Sequence, residues 1–331
     1  MKNSYKQFKK LIEKSSNILL LTHKGPDVDA FCSALLLKQV LMEFFPKKNF
    51  TIQAKQNPSM RLPRMKEIKL VKELNSTGFD LILLTDAGDL SLCSDENDRI
   101  EISLPVVAID HHDTSFDKKE NVLLINENMS SATEQVYMLL KEVFGKKFKL
   151  DEETASLVQY GIVADTGRFL YDITTANTHR VFAEAKSVVD VDLEDFAYRN
   201  SKFPREATYA IIKYLQSLKI EKDMAYMYVD RKDLEEDLEL KQGASEAQAF
   251  LRDKFLRFIQ GVHWGFIIKP NMNTKDSWFV SFRSTKEFQD VRVIAEELGG
   301  GGHTYASGVL IKADSLESLL ERILQIVEKH V

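Results

Sequence analysis

The sequence predicts a two-domain α/β protein, with a parallel-sheet domain at the N-terminus and a smaller α+β domain at the C-terminus. The chain has 331 residues, and domains of roughly 150 residues are common. In the first half, continuous apolar runs alternate with helical patterns, as expected for buried parallel strands joined by helices. In the second half this regular alternation is lost. We predict domains at residues 1–188 and 219–331, joined by a helical linker at 189–218.

Short apolar runs mark the strands of the first domain. Helical patterns between and after them predict crossover helices, because parallel strands need long connections. The predicted strands are Asn17–Thr22, Phe50–Ala54, Phe79–Thr85, Pro105–Ile109 and Val122–Ile125, and the predicted helices are Ala30–Phe45, 130–144 and 151–164.

Strand candidates reappear only after the charged, helical segment that ends near Leu218. The acidic run from Asp233 to Glu239 is typical of a solvated helix face. The predicted strands of the second domain are Ala225–Val229, Val262–Lys269 and Trp278–Arg283, and its predicted helices are 245–259, 290–298 and 315–329.

Composition limits the classes of function. Hydrophobic residues make up 44% of the chain, and the formal net charge is -5. A negative chain is poorly suited to a broad grip on long nucleic acid, which depends on many Lys and Arg contacts. Two cysteines, Cys32 and Cys93, do not predict a disulfide framework. Because no apolar run reaches about 18 residues, we expect a cytoplasmic protein with no membrane span; a homodimeric state stays open.

Histidine and aspartate side chains follow the apolar runs, where the carboxyl ends of parallel strands meet at one sheet edge. A single aspartate after a strand is usually a turn or helix-capping residue, whereas their recurrence at successive strand ends favours a common site. A further aspartate follows the helical pattern at 151–164. The residues are His23, Asp27 and Asp29 after the first run, Asp86 after the next, Asp110, His111 and His112 after a third, and Asp165.

These residue types predict a centre for two divalent metal ions. Carboxylate oxygen and imidazole nitrogen suit Mn²⁺, with Zn²⁺, Fe²⁺ and Co²⁺ as alternatives. Two such ions about 3.5–4 Å apart share a carboxylate and activate a hydroxide for attack on a phosphoryl group. Four aspartates, Asp27, Asp29, Asp86 and Asp165, balance the charge of two divalent cations.

A glycine run near the C-terminus, Leu298-Gly-Gly-Gly-Gly-His303, is a second candidate site. Consecutive glycines permit positive φ angles, and their amides can form an anion-binding concavity. His303 adds a donor, and Arg283 at a strand end offers a fork for phosphate. The alternative is a turn after a helix, because glycine is common at helix C-termini.

These motifs together resemble the DHH–DHHA1 phosphoesterase superfamily over nearly the whole chain. The motif that names the superfamily is matched by Asp110-His111-His112. The other matching segments are His23-Lys-Gly-Pro-Asp27-Val-Asp29, Leu81-Ile-Leu-Leu-Thr-Asp86, Tyr160-Gly-Ile-Val-Ala-Asp165-Thr-Gly, Arg283-Ser and Gly299-Gly-Gly-Gly-His303.

The resemblance implies a role for each matched residue, with the active site in a cleft between the domains. Asp86 would bridge two metals, His112 would face the scissile phosphate, and Asp110 would orient an imidazole. One metal would be held by His23, Asp27 and Asp86, the other by Asp29, Asp86, His111 and Asp165, and substrate phosphate would be held by Arg283, Gly300, Gly301, Gly302 and His303. Asn126 and Ser131 match a further motif of the superfamily and are also expected at the substrate.

Within the superfamily, the chain resembles the nano-RNase and pAp-phosphatase group. The resemblance implies a Mn²⁺-dependent enzyme that hydrolyses short oligoribonucleotides to mononucleotides and pAp to AMP. A phosphodiesterase for cyclic di-AMP or pApA is one alternative, and a non-catalytic nucleotide-binding module is another, although no expected ligand is missing. The glycine run argues against a family II pyrophosphatase. Tyr305 and Phe282 are candidates for base stacking by proximity alone.

Overall fold

A computed structural model of the chain describes residues 2–58, 61–112, 120–200 and 202–330. The chain divides into two compact units, Met1–Ser201 and Lys202–Val331. The segment predicted as a linker contains two helices that fall in different units, Leu193–Asn200 and Glu206–Gln216. We describe each unit by itself.

The first unit is built on a parallel sheet with the strand order β3-β2-β1-β4-β5-β6. Every described pairing in this sheet is parallel, which confirms the predicted fold class. The chain runs from β1 toward one edge and then returns to add β4 on the other side of β1, so the sheet has its switch point between these two strands. The strands are β1 (Asn17–Thr22), β2 (Asn49–Ala54), β3 (Ile68–Leu70), β4 (Leu81–Thr85), β5 (Val106–Ile109) and β6 (Val122–Ile125).

Helices cover the sheet of the first unit. The central helix α2 is buried along most of its length, which agrees with its nearly continuous apolar sequence. The three predicted helices are confirmed with small shifts of their ends, and α5 was not predicted. The helices are α1 (Asn3–Lys14), α2 (Val28–Phe44), α3 (Ala132–Phe144), α4 (Glu152–Asp165), α5 (Ala176–Lys186) and α6 (Leu193–Asn200).

Both faces of this sheet are buried, which explains why its strands are apolar at every position. In β1, Ile18 and Leu20 belong to the core that also contains residues of α1–α4, whereas Leu19 and Leu21 belong to a second core on the opposite face. Each fully buried leucine contributes about 1.5–3 kcal/mol relative to exposure. Cys32 and Cys93 are both free and buried.

The second unit has a mixed sheet with the strand order β11-β12-β10-β9-β8-β7. The β8–β9 pair is parallel and the other pairs are antiparallel, which confirms the α+β class. The strands are β7 (Lys219–Glu221), β8 (Met224–Tyr228), β9 (Trp264–Pro270), β10 (Ser277–Ser284), β11 (Gly301–His303) and β12 (Ala306–Lys312). The helices are α7 (Glu206–Gln216), α8 (Arg231–Glu236), α9 (Leu238–Lys254), α10 (Val291–Glu297) and α11 (Leu316–His330).

The two faces of β10 have different surroundings. Trp278, Val280 and Phe282 are buried in the core that includes α10 and α11. The alternate residues, Phe279, Ser281 and Arg283, are more accessible. The expectation that Phe282 could stack on a base was wrong, because its ring is fully buried. Side chains alternate between the faces of a strand, so Phe282 points away from its neighbour Arg283.

Across the described ranges, no helix combines the length and the apolarity needed to cross a bilayer.

Candidate active site

The candidate site lies at the carboxyl edge of the first sheet, on both sides of its switch point. His23 follows β1, and Asp86 follows the adjacent strand β4. Asp110 and His111 follow β5, the next strand along the sheet. Parallel strands present their carboxyl ends to one side, which is where ligands bind in such sheets.

Asp86 is at the centre of the cluster. Its side chain is buried, and its backbone adopts a left-handed φ of 58°, which is uncommon for residues other than glycine. Its amide donates a hydrogen bond to the carbonyl of Ile109 at 2.9 Å, which anchors this turn to β5. Oδ2 lies 3.4 Å from Nε2 of His23, and Oδ1 lies 3.5 Å from Nε2 of His111. The two carboxylate oxygens therefore face two different imidazoles.

The structure brings all six predicted metal ligands into overlapping groups. In each group the potential ligand atoms lie within 4.8 Å of one another. Asp86 belongs to two groups and His111 to two, so the groups form one continuous centre. The groups are His23 with Asp27 and Asp86, Asp29 with His111 and Asp165, and Asp86 with His111 and His112.

Within the described part of the chain, three buried atoms of this centre have no hydrogen-bond partner: Oδ1 of Asp86, Nε2 of His111 and Oδ2 of Asp165. The last two are 3.1 Å apart but are not oriented for a hydrogen bond. An unsatisfied buried polar atom costs about 1–3 kcal/mol. Divalent cations accept oxygen and nitrogen donors of this kind. The residues present therefore fit a metal centre.

Main-chain carbonyls orient the two imidazoles. Nδ1 of His23 is 2.9 Å from the carbonyl oxygen of Lys24, and Nδ1 of His111 is 3.3 Å from that of Met129. A carbonyl accepts only from a protonated nitrogen, so this network assigns the proton to Nδ1 in each neutral ring. Nε2, which faces the carboxylates, is left with its lone pair available to a cation, an arrangement found at metal-ligating histidines.

Asp29 is a fully buried residue of α2, and its carboxylate lies at the N-terminus of α3. Its carboxylate accepts hydrogen bonds from the amides of Ala132 at 2.6 Å and Thr133 at 3.0 Å. Burial, together with the charges of Asp165 and Asp86, raises its pKa well above the usual range for aspartate. A cation at this position would favour the charged form, because opposite charge lowers a carboxyl pKa.

Asp27, rather than Asp29, caps helix α2. Oδ1 of Asp27 accepts a hydrogen bond from the amide of Ala30 at 3.0 Å. One oxygen of Asp27 therefore has a structural role, while the residue also belongs to the group that contains His23 and Asp86.

Gly161 in α4 is a residue whose role sequence reasoning missed. A Cβ atom at this position would lie 2.2 Å from Oγ1 of Thr133 and 2.9 Å from Oδ1 of Asp29. Only glycine lets α4 approach the start of α3 this closely. A glycine inside an otherwise helical pattern was the available signal, because such glycines often have a packing reason.

Asp110 holds the two histidines that follow it. Its Oδ1 atom is 2.8 Å from Nδ1 of His112 and accepts a hydrogen bond from the amide of His111 at 2.9 Å. Asn126 donates a hydrogen bond to the carbonyl of His112 at 2.8 Å. The His112 side chain is 54% exposed. Its ring is therefore oriented by Asp110 and remains accessible from solution.

Ser131, expected at the substrate, is buried and caps α3. Its hydroxyl accepts a hydrogen bond from the amide of Glu134 at 3.0 Å. This capping contact accounts for a serine at that position without a substrate contact.

In the second unit, Arg283 and His303 lie on one rung of the sheet. Arg283 pairs with Ala306 across β10 and β12, and Ala306 pairs with His303 across β12 and β11. Directly paired residues of antiparallel strands point to the same face. Arg283 and His303 therefore share a face, roughly 10 Å apart across two strand spacings, with only the methyl group of Ala306 between them.

The glycine run is partly a helix cap. The amide of Gly299 donates to Glu296 at 2.9 Å, and that of Gly300 donates to Ala295 at 2.8 Å. With the φ of 88° at Gly299, this is a Schellman motif. The amide of Gly300, a residue expected at the substrate phosphate, is therefore engaged in closing α10. Gly301 and Gly302 continue into β11.

Comparison with known proteins supports the two-part organisation. Residues 17–162 match the DHH family, N-terminal domain, and residues 225–329 match the DHHA1 domain. The chain belongs to the DHH–DHHA1 phosphoesterase family. It is accordingly a phosphoester hydrolase.

Relatives of this DHH-family chain cover most of its length. The bifunctional oligoribonuclease and PAP phosphatase NrnA of Bacillus subtilis is 26% identical over 95% of each chain. The cyclic-di-AMP phosphodiesterase GdpP of the same species is 25% identical, covering 95% of this chain and 49% of GdpP. Among solved structures, an exopolyphosphatase-related protein from Bacteroides fragilis has a TM-score of 0.80 at 21% identity, covering 98% of this chain and 96% of the other. This last similarity concerns the fold alone.

Proposed function

We propose that this DHH-family hydrolase degrades short oligoribonucleotides to mononucleotides and dephosphorylates pAp to AMP, using two Mn²⁺ ions. The observation that carries the proposal is Asp86, whose two carboxylate oxygens face His23 and His111 at 3.4 and 3.5 Å. The similarity to NrnA over 95% of both chains supports the choice of substrate.

The ligands divide into two sets that share Asp86. His23, Asp27 and Asp86 would hold one ion; Asp29, Asp86, His111 and Asp165 would hold the other. The unpartnered atoms of Asp86, His111 and Asp165 support the second set in particular. When bound, the two ions supply a nucleophile from water at neutral pH and neutralise charge on the phosphoryl oxygens.

The side chains around the ions orient the substrate. Asp110 accepts from Nδ1 of His112, which leaves Nε2 of that half-exposed ring to donate a hydrogen bond to a phosphoryl oxygen. The hydrogen bond to the Asp110 carboxylate also raises the pKa of His112, which favours the protonated ring. Arg283 and His303 would bind a second phosphate of the same substrate through charge-assisted hydrogen bonds.

A second candidate is hydrolysis of cyclic di-AMP or of its linear product pApA. The 25% identity to GdpP favours it, and the metal centre serves either reaction, because the scissile bonds are all phosphoesters.

The test is a substrate panel with metal-depleted full-length protein to which Mn²⁺ is added back. The substrates are dinucleotides, a 20-nucleotide RNA, pAp, pApA and cyclic di-AMP. The proposal expects Mn²⁺-dependent hydrolysis with dinucleotides and pAp among the best substrates. Selective hydrolysis of cyclic di-AMP would favour the second candidate, and activity without any divalent metal would contradict both.

A further inference from the structure

Glu134 is a buried acidic residue that the proposed metal centre does not use. It lies in the first turn of α3 and is 1% exposed. It is in none of the three groups of potential metal ligands found among the described residues. Because a carboxylate removed from water is costly unless it is hydrogen-bonded, its partners indicate what it does. Sequence reasoning singled out its neighbour Ser131 but not Glu134.

Four neutral donors hold the Glu134 carboxylate. The amide and the hydroxyl of Ser130 donate to Oε2 at 3.2 and 2.5 Å. From the first turn of α5, the Thr178 hydroxyl donates to Oε2 at 2.9 Å, and the side-chain amide of Asn177 donates to Oε1 at 2.7 Å. The carboxylate thus lies at the N-terminal ends of both α3 and α5, where the helix dipoles stabilise a negative charge.

One peptide group joins Glu134 to His111. The carbonyl of Met129 and the amide of Ser130 belong to the same peptide bond. Its N–H donates to Oε2 of Glu134 at 3.2 Å, and its carbonyl oxygen lies 3.3 Å from Nδ1 of His111. Hydrogen bonds at the two ends of a peptide group polarise each other. The negative carboxylate therefore makes this carbonyl a stronger acceptor for the imidazole proton.

The same contact fixes the orientation of that carbonyl. Residues 126–130, between β6 and α3, form neither helix nor strand. Ser130, the last of them, is held at both its amide and its hydroxyl by one carboxylate oxygen. Because the Met129 carbonyl lies in the plane of this amide, a rotation that breaks the bond to Glu134 also turns the carbonyl away from His111.

We propose that Glu134 is a positioning residue for His111, which holds the imidazole and its Nδ1 proton in place through the Met129–Ser130 peptide group. This inference rests on the proposed function, in which His111 binds one of the two ions. Metal-ligating histidines usually donate their second ring N–H to a carboxylate or a backbone carbonyl. Here a carbonyl and a carboxylate act in series. Loss of the Glu134 charge should therefore weaken one ion without removing a ligand.

The first test is the NMR signal of the His111 Nδ1 proton in metal-free full-length protein. The His111 side chain is 8% exposed, so this proton should exchange slowly with water, and its signal is identified by its absence in His111→Asn. Glu134→Gln keeps the size of the side chain and one carbonyl oxygen for Ser130 but removes the charge. The signal should move upfield, as expected for a weaker hydrogen bond. An unchanged signal would overturn the proposal.

A shorter acidic side chain is the second variant, which also serves if Glu134→Gln does not fold. Glu134→Asp keeps a charge near the helix ends but withdraws it by one methylene group from the Ser130 amide. The His111 proton signal should move in the same direction as in Glu134→Gln and by a smaller amount. A signal at the wild-type position in Glu134→Asp would likewise contradict the proposal.

The second readout is Mn²⁺ affinity, measured by calorimetric titration of metal-free protein. Glu134→Gln should weaken one of the two binding steps by about 10–100-fold, the range typical of groups that orient a metal-ligating histidine from outside. The other step should stay near its wild-type value, because His23 and Asp27 have no printed bond to Glu134 or to its peptide group and are held elsewhere. Two unchanged steps would count against the proposal.

Glu184→Gln is the matched control. Glu184 lies in α5 and also contacts α3, through the Tyr137 hydroxyl and through Nζ of Lys141 at 2.8 Å. Both partners lie beyond the first turn of α3. The control therefore removes a carboxylate between the same two helices and should leave the His111 signal and both Mn²⁺ steps unchanged. An equal effect in Glu184→Gln would mean that loosened helix packing is the cause and would overturn the proposal.

The outcomes separate this inference from the proposed function. If wild-type protein binds no divalent ion but the His111 signal moves in Glu134→Gln, the two-metal proposal fails and the positioning of His111 by Glu134 stands. If wild-type protein binds two Mn²⁺ ions and hydrolyses dinucleotides, while Glu134→Gln matches it in proton signal and affinity, the function stands and the positioning role fails.

Discussion

Asp86 and Asp276 share an unusual backbone conformation in different surroundings. Their φ angles are 58° and 56°, but Asp86 is buried between two histidines, whereas Asp276 is exposed in a turn. Asparagine tolerates the left-handed region about as well as aspartate. Replacing each of these two aspartates by asparagine therefore separates the loss of a charge at the candidate metal centre from any change in backbone strain.

Asp86→Asn should remove metal binding and activity together. Loss of the shared carboxylate charge should lower kcat/KM by more than about 1,000-fold and reduce bound Mn²⁺ from two ions per chain to fewer than one. Equilibrium dialysis with metal analysis gives the ion count, and dinucleotide hydrolysis gives the rate. Asp276→Asn should match wild type in both. Wild-type activity with a single bound ion would contradict the two-metal model.

Asp110→Asn should have a milder effect. Asp110 does not belong to any of the three groups of potential ligands but contacts His112 and the amide of His111. We expect an activity loss on the order of 10–100-fold, as for other groups that orient a metal site from outside. The measurement is kcat/KM alongside the Mn²⁺ content, which should stay near two. A loss as large as that of Asp86→Asn would indicate that Asp110 is itself a ligand.

Gly161→Ala should displace Asp29. The added Cβ would meet Oγ1 of Thr133 at 2.2 Å and Oδ1 of Asp29 at 2.9 Å. We expect destabilisation of about 1–3 kcal/mol from overpacking and weaker binding of one Mn²⁺, measured by urea unfolding and metal titration. Thr133→Ala in the same chain removes the closest atom and should recover part of both losses. Wild-type stability and metal affinity in Gly161→Ala would show that α4 shifts freely away from α3.

Mn²⁺ affinity should rise with pH. In the metal-free protein, the hydrogen bond to Asp86 raises the pKa of His23 to about 9. Burial lowers the pKa of His111, but Asp86, Asp29 and Asp165 outweigh it and raise that pKa to about 9. Below this pH both rings carry a proton that a metal must displace, because ligands bind deprotonated. Titrations between pH 6 and 9 should show tighter binding at each step. A flat profile would exclude these histidines as ligands.

Short RNA should be hydrolysed faster than long RNA. The net charge of -5 does not provide the positively charged groove that holds an extended strand. We expect kcat/KM to be highest for about two to five nucleotides, given that limited electrostatic grip. The measurement uses single-stranded RNA of two to twenty nucleotides at fixed salt and Mn²⁺. Values that stay level or increase with length would favour a processive exonuclease.

The sequence by itself determined five of the six strands in the sheet of the first unit, all except β3, and the candidate ligands at the edge of this sheet. Buried parallel strands are apolar at every position, so Asn17–Thr22 and Leu81–Thr85 are recognisable, and chain geometry then delivers His23 and Asp86 to one side. An apolar run and the residue that follows it both lie within one short segment, so a single segment of sequence is enough to recognise them. Helix α5 was missed, because its buried residues Thr178, Val181 and Ala185 form only a weak apolar stripe.

Only the tertiary structure decided the contacts between distant segments. Asp29 meets the amides of Ala132 and Thr133 across more than 100 residues of chain, and Arg283 meets Asp253 across 30. The glycine run was ambiguous for the same reason. The Gly300 amide closes the end of α10. His303, in contrast, joins the rung of Arg283 only through the pairing of β11 with β12. A periodic pattern reports the burial of one segment, but the partner of a polar group depends on which segments pack together.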